Sequence, residues 1–185
     1  SGTLPAQRAD VMNLSLGGGG FSQTAQDVFT LARNAGVIVV AAAGNNGTGT
    51  LQYPASYAGV VSVSAVDTLK SLAPYSSFGS AVDVAAPGGD LSRDRNGDGY
   101  GDGVLSTLGN DSTLPLQYAY GFLNGTSMAA PHVAGIVALM KAAASGMTPD
   151  QFDTLLAGGT ITEDRGAAGR DDLYGHGLID ARNAV

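Results

Sequence analysis

The chain contains a run of apolar, mostly β-branched residues at positions 37–42, Val37-Ile38-Val39-Val40-Ala41-Ala42. A strand of a parallel sheet is buried on both faces and shows such a run, whereas a half-exposed strand alternates apolar and polar residues. Upstream, residues 11–16 alternate roughly as a strand, and apolar residues recur at helical spacing from Gln23 to Asn34, before Gly36. The order strand, helix, strand predicts a βαβ unit.

The same kind of pattern continues toward the C-terminus. Two more strand patterns are followed by a Gly- and Asp-rich loop and by a long apolar helix, at residues 60–66, 82–85, 88–103 and 127–144. Thr148 and Gln151 have the spacing of a capping box at the start of a shorter helix. We therefore expect an α/β fold, in one domain, with a largely parallel sheet and helices on both of its faces.

The composition argues against two classes of partner. The net charge is −7, and the nine Lys and Arg residues are scattered along the 185 positions. Phosphate binding needs clustered basic residues, so nucleic acid is not expected as a partner. No apolar run approaches the roughly 18 residues of a membrane-spanning helix, so a membrane is not expected either. The absence of cysteine also excludes a thiol nucleophile.

A serine stands where a glycine-containing loop enters the predicted long helix, in the stretch Gly125-Thr126-Ser127-Met128-Ala129-Ala130-Pro131-His132-Val133-Ala134-Gly135. The start of a helix has free backbone N–H groups and a positive dipole end, and both favour the negative charge that develops during acyl transfer. An isolated serine at such a place is more often a helix N-cap. The interpretation of Ser127 as a nucleophile therefore depends on the whole stretch.

Three separated segments together resemble the subtilisin family of serine peptidases, the subtilases, at residues 13–18, 41–45 and 125–135. The resemblance extends over nearly the whole chain and implies a serine endopeptidase that works through an acyl-enzyme. It implies that Ser127 is the catalytic nucleophile, and that Asn45 donates its side-chain amide to the oxyanion together with the backbone N–H of Ser127. The alternative for Asn45 is a structural role, because Asn-Asn-Gly is also good turn chemistry.

The resemblance also implies where a polypeptide substrate binds. The substrate's extended backbone would pair with one segment, by β-augmentation, and the first specificity pocket would lie between this segment and a second one. The matched residues are Leu14, Ser15, Leu16 and Gly17 in the first segment and Ala42, Ala43 and Gly44 in the second. Gln52, Tyr53 and Pro54 match the base of that pocket, and relatives place a cis bond at the position of Tyr53-Pro54.

The motifs that carry the family's base are absent. In the family, the base is a His in a His-Gly-Thr motif, oriented by an Asp in an Asp-Ser/Thr-Gly motif, and this chain contains neither. His132 matches a structural His of the family, and His176 lies in a Gly-His-Gly turn. We therefore expect the catalytic Asp and His to lie outside this chain.

This expectation decides how the chain is interpreted. Residues 1–185 would be a partial subtilisin-like peptidase domain, truncated at its N-terminal side, whose partner is the missing N-terminal part. The chain alone would be inactive. The alternative is a non-catalytic fragment, or one half of a nicked protease, that folds or binds peptide without cleaving it. No targeting signal is visible in the sequence. An extracellular location is implied by the resemblance alone.

An acidic loop has the spacing of a calcium-binding sequence. Oxygen-bearing side chains stand at positions 1, 3, 5 and 9 of the loop, at Asp94, Asn96, Asp98 and Asp102, with Gly99 at position 6. Leu105 stands at position 12, where such loops have a bidentate Glu. The sequence therefore predicts a structural Ca²⁺ site, with a solvated Asp- and Gly-rich loop as the alternative.

Overall fold

The computed structural model describes residues 8–50, 52–110, 112 and 117–185. Their helices and strands are, in chain order, β1 (Val11–Leu14), α1 (Gln23–Asn34), β2 (Ile38–Ala42), β3 (Val60–Val66), β4 (Val84–Pro87), β5 (Val104–Asn110), β6 (Gln117–Leu123), α2 (Thr126–Ala143), α3 (Pro149–Ala157), β7 (Thr162–Glu163), β8 (Leu178–Ile179) and α4 (Ala181–Ala184). None of these helices has the length and apolar character that a membrane crossing needs.

A six-stranded sheet forms the centre of the described part of the chain, in the order β1-β2-β3-β4-β8-β7. Neighbours from β1 to β8 in this order are parallel, and β7 pairs antiparallel with β8. Every residue of β2 is buried, as the continuous apolar run at 37–42 predicts, and every residue of β3 is buried as well. The prediction of a largely parallel sheet is confirmed.

Helices cover both faces of this sheet, because successive side chains of a strand point to opposite faces. Val40 of β2 packs in one apolar cluster with Val133 of α2. The next residue back, Val39, packs in a second cluster with Phe29 of α1. The predicted α/β architecture, with helices on both faces, is therefore confirmed.

Local sequence signals predicted the ends of helices better than they predicted exposed strands. At the start of α3, the Thr148 hydroxyl accepts from the N–H of Gln151 at 3.2 Å, and the Gln151 side chain accepts from the N–H of Thr148 at 2.9 Å. This is the predicted capping box. The antiparallel pair β5–β6 was not predicted. Nearly all of its residues are exposed, and the alternating aromatic residues Tyr118, Tyr120 and Phe122 of β6 are a strand signal that the sequence analysis missed.

The carboxyl group of Asp83 is largely enclosed at the entrance to β4. Its Oδ2 accepts a hydrogen bond from the N–H of Ser62 at 2.8 Å. Burial raises the pKa of Asp83 to about 6, the hydrogen bond from Ser62 opposes that rise, and the charge of Asp153 adds to it. The folded state therefore holds the Asp83 proton more tightly than the unfolded chain does.

The stability of the protein should depend on pH through the ionisation of Asp83. Protonated Asp83 favours folding fully below about pH 4, and this contribution is lost as the pH rises through about 6. Asp83→Asn keeps an oxygen for Ser62 but cannot ionise. We expect the variant to gain stability relative to the wild type by up to about 3 kcal/mol between pH 4 and pH 7.5, since a pKa difference of one corresponds to about 1.4 kcal/mol.

Urea unfolding of both proteins at the two pH values measures this difference. Asp98→Asn is the matched control, because Asp98 is exposed. Parallel pH profiles for Asp83→Asn and the wild type would contradict the prediction.

Candidate active site

The predicted catalytic residues meet at one edge of the sheet. Leu14 is the register partner of Ala41, so β1 and β2 end side by side. Because the two strands are parallel, the segments that follow them leave the sheet at the same, carboxyl edge, where ligand sites of open α/β sheets lie. The start of α2 reaches that edge as well, since the Ser15 hydroxyl donates to the carbonyl oxygen of Ser127 at 2.7 Å.

Ser127 is the second residue of α2 and is half-buried. Its hydroxyl donates to the carbonyl oxygen of Ser15 at 3.3 Å. The helix is preceded by the buried Gly125, whose φ of 151° is a conformation that glycine adopts far more readily than other residues. In the described part of the chain the N–H of Ser127 has no acceptor, as is usual in the first turn of a helix. The backbone N–H of Ser127 is therefore available to donate a hydrogen bond.

The side chain of Asn45 is held in one orientation by Thr126. Asn45 Oδ1 accepts from both the N–H and the hydroxyl of Thr126, each at 2.8 Å. Because both groups of Thr126 donate, the atom that they contact must be the carbonyl oxygen of the Asn45 amide, and the NH₂ group faces away from Thr126. A Cβ added to Gly125 would lie 3.4 Å from Asn45 Nδ2, which places this NH₂ group at the start of α2. Asn45 and Ser127 thus present two donors close together.

Thr126 is a residue whose role the sequence analysis missed. Its hydroxyl donates to Asn45 and accepts from the N–H of Gly44 at 3.2 Å, and the residue is fully buried. It connects the end of β2 to the start of α2. The one available signal was its place directly before Ser127 in the 125–135 stretch.

The two predicted substrate-binding segments also lie at this edge. Leu14 is half-buried and Ser15, Leu16 and Gly17 are exposed, whereas Ala42 and Ala43 are buried and Gly44 is half-buried. The N–H of Gly18 donates to the carbonyl oxygen of Tyr53 at 2.9 Å, which connects the first segment to residues 52–54. The Tyr53-Pro54 bond is cis, as predicted. The structure brings all these segments together, and their role in substrate binding stays a prediction.

Neither histidine contacts Ser127. His132 lies further along α2, with its Nδ1 at 2.8 Å from the carbonyl oxygen of Met128. His176 lies beside Asp83, to whose carbonyl oxygen its N–H donates at 2.8 Å. Burial and the nearby charge of Arg170 lower the pKa of His176. Neither of the two histidines is therefore positioned to take the proton of Ser127.

The four predicted calcium ligands make hydrogen bonds within the protein. Both oxygens of Asp94 accept backbone N–H groups of the loop, Asn96 and Asp98 hydrogen-bond to each other, and Asp102 is buried. Among the described residues, no three acidic, His or Cys side chains form a group that could hold a metal ion. Calcium binding by Asp94, Asn96, Asp98 and Asp102 therefore stays a prediction.

Residues 3–177 match the model of the Subtilase family. The chain belongs to the subtilase family. It is 43% identical to an extracellular protease of Xanthomonas campestris over 156 residues, which are 82% of this chain and 24% of that protein. It is 37% identical to M-protease of Shouchella clausii over 175 residues, which are 95% of this chain and 40% of that protein.

Solved protease structures share the fold of this chain. A protease of Pseudoalteromonas arctica is 40% identical with a TM-score of 0.82, covering 100% of this chain and 54% of its own. A lanthipeptide protease is 28% identical with a TM-score of 0.78, covering 95% of this chain and 60% of its own. This subtilase chain thus spans less than two thirds of each of these relatives.

The close packing around Gly44 in this subtilase gives a testable expectation. Gly44 has a φ of 110°, and an added Cβ would lie 2.8 Å from Gln52 Cγ and 3.1 Å from Ser77 Oγ. Gly44→Ala should therefore lower the free energy of unfolding by about 1–3 kcal/mol, through backbone strain and displacement of Gln52. Chemical denaturation measures the change.

Gly20→Ala is the control for this variant. Gly20 has an ordinary φ and no atom within 4 Å of an added Cβ, so its substitution should stay within about 0.5 kcal/mol of the wild type. Equal stabilities for the two variants would show that the contact between Gly44 and Gln52 is not restrictive.

Proposed function

We propose that residues 1–185 form the nucleophile and oxyanion half of a serine endopeptidase domain. The observation that carries this proposal is the Asn45 side chain, whose oxygen is held by Thr126 and whose NH₂ group is left at the start of α2 beside the free N–H of Ser127. Donors that are fixed before the reaction stabilise developing negative charge most effectively. The relatives named above are proteases, which supports the same activity.

The reaction proceeds in two stages through a covalent intermediate. Ser127 Oγ attacks the carbonyl carbon of a peptide bond while a base takes its proton, and the carbonyl electron pair moves onto oxygen. Asn45 Nδ2 and the N–H of Ser127 donate to this oxyanion. Its collapse expels the amine, which takes up the proton and leaves an ester on Ser127. Water then hydrolyses the ester and restores the serine.

The base and the carboxylate that orients it come from outside residues 1–185. Ser127 Oγ donates to a backbone oxygen of Ser15, and neither histidine of the chain contacts it. Within the described residues β1 has a strand partner on one side only, and α1 exposes apolar side chains at Val28 and Leu31. These surfaces suit the remainder of a catalytic domain packed against them.

The substrate is a polypeptide that lies extended across the carboxyl edge of the sheet. Its backbone pairs with residues 14–17, and the side chain before the cleaved bond enters the space between this segment and residues 42–44. Gln52 packs against Gly44 at the base of that space, which favours a smaller or polar side chain there. The enzyme acts outside the cell, as the relatives named extracellular protease and extracellular basic protease do.

Substitution of the attacking Ser127 and of the donating Asn45 tests the proposal in the protein that contains this chain. Ser127→Ala should abolish hydrolysis of a chromogenic peptide. Asn45→Ala should lower kcat by about 10²–10³ with little change in KM, the loss known for such a donor in subtilisin, the namesake of the family. Asn46→Ala is the matched control, because Asn46 is an exposed neighbour with no side-chain role at the site. Retention of activity by Ser127→Ala would overturn the proposal.

The origin of the base is tested with residues 1–185 alone. Losing the base in subtilisin costs about 10⁶ in kcat, so the isolated chain should show negligible turnover. Adding the segment that carries the Asp and His should restore hydrolysis and the labelling of Ser127 by a fluorophosphonate. Turnover by the isolated chain that His132→Ala or His176→Ala removes would place the base inside this sequence. Failure of complementation would favour the alternative, a non-catalytic fragment.

A further inference from the structure

The strands β5 and β6 form a two-stranded ribbon, separate from the six-stranded sheet, that carries a row of aromatic side chains. Tyr118, Tyr120 and Phe122 alternate along β6, so they lie on one face of the ribbon. Tyr118 is 82% exposed and Tyr120 is 77% exposed. Single exposed apolar side chains are common on protein surfaces, whereas a contiguous row of them indicates an interaction surface.

The residues of β5 that oppose this aromatic row leave its outer rings uncovered. Opposed residues of an antiparallel pair carry their side chains on the same face. Gly109 is opposite Tyr118, and Thr107 is opposite Tyr120. A hydrogen atom and a threonine side chain are too small to cover a tyrosine ring. The face of the ribbon that carries the aromatic row is therefore open to a partner.

The inner end of the aromatic row is anchored next to the active site. The ring of Phe122 stacks with that of Tyr100, with ring centroids 6.2 Å apart and an angle of 23° between the planes. Leu105, the register partner of Phe122, lines a groove between β5 and the first turns of α2, together with Met128. Met128 directly follows Ser127 in the sequence. The aromatic row is therefore continuous with the surface around the nucleophile.

The chemistry of the ribbon indicates which partner it suits. Neither strand, at 104–110 and 117–123, contains a charged side chain. Within the described residues, each strand also has one edge without a strand partner. Backbone groups at a free edge pair with an extended polypeptide, and exposed tyrosines are favourable contacts for its side chains. The ribbon therefore suits an extended segment with uncharged, apolar side chains.

We propose that the ribbon is a second substrate-binding surface, which binds an uncharged, extended segment of the polypeptide after the cleaved bond. This inference rests on the proposed function, in which the part of the substrate before the cleaved bond pairs with residues 14–17. The ribbon leads into α2 and is adjacent to Ser127 through Met128, so it is available to the part that follows the bond.

The length of the ribbon sets the length of substrate that reaches it. Tyr118 and Leu123 stand five positions apart in β6, which is about 17 Å in an extended strand. An extended substrate spans a similar distance per residue, so it must continue for at least about five residues past the cleaved bond to reach Tyr118. Short peptides therefore miss the outer rings. The ribbon favours long polypeptides without changing the chemistry at Ser127.

Peptide hydrolysis by the full-length protein tests the proposal with two substrates that share the residues before the cleaved bond. One is a chromogenic anilide that ends at the bond, and the other is a fluorescence-quenched peptide with ten uncharged residues after the bond. Tyr118→Ser combined with Tyr120→Ser should lower the ratio of kcat/KM for the extended peptide to kcat/KM for the anilide by about tenfold, through KM. Leu69→Ser is the matched control and should keep the ratio of the wild type, because Leu69 is 59% exposed on the turn after β3 and lies outside the ribbon.

An unchanged ratio in the tyrosine variant overturns the proposal. Equal losses for both substrates would mean that the aromatic row packs against the remainder of the catalytic domain. Loss of a dimer in gel filtration, with the ratio unchanged, would mean that the row binds a second copy of the protein. Hydrolysis of the anilide that Ser127→Ala abolishes shows separately whether the proposed function is correct.

A series of peptides of increasing length gives a second test, with the unsubstituted protein, that does not require a variant to fold. As uncharged residues are added after the cleaved bond, kcat/KM should rise and should level off only at about five residues or more. Replacing the far residues by Asp and Lys should remove this gain. A plateau that is reached by three residues, or an equal gain for the charged peptides, contradicts substrate binding by the ribbon.

Discussion

Burial of β2 on both of its faces is the constraint on which the arrangement of the active site depends. A strand with no polar face must be covered from two sides, and here α1 and α2 provide the two layers. Because β1, β2 and β3 are parallel, the chain always leaves them at the same edge. The packing of α2 brings its first turn to that edge. Thr126 and Asn45, 81 residues apart in the sequence, therefore come within hydrogen-bond distance.

The contact between Thr126 and Asn45 converts this architecture into a chemical arrangement. An asparagine on an exposed turn could rotate freely, and its NH₂ group would then have to be reoriented at each reaction. Two hydrogen bonds to its oxygen remove that freedom before a substrate arrives. Glycine at positions 44 and 125 permits the backbone conformations on either side of this contact. The Asn45 side chain is thus held at the start of α2 by ordinary packing and hydrogen bonds rather than by a special element.

The difference between local and long-range contacts explains which sequence-based predictions were confirmed. The capping box at Thr148 and the helix α1 depend on residues three or four positions apart, so the sequence displays them directly. The pair β5–β6 was missed although Tyr118, Tyr120 and Phe122 alternate along β6, because β5 has no matching alternation. In the acidic loop, the regular spacing of Asp94, Asn96, Asp98 and Asp102 predicts calcium binding, and this stays a prediction. The buried partner of Asp102 is Asp90, 12 residues away across a bridge, and no local pattern predicts such a pairing.

The sequence by itself determined the α/β class and the parallel order of the first strands, through its apolar runs. It predicted Ser127 and Asn45 as the reactive and stabilising residues, through motifs that resemble those of the subtilases. The tertiary structure alone decided how Asn45 is oriented, that Thr126 holds it, and that Asp90 faces Asp102. The physical reason is that periodicity and motifs report the preferences of residues close together in the chain. The direction of a side chain, by contrast, is set by whichever distant atoms the packed core brings against it.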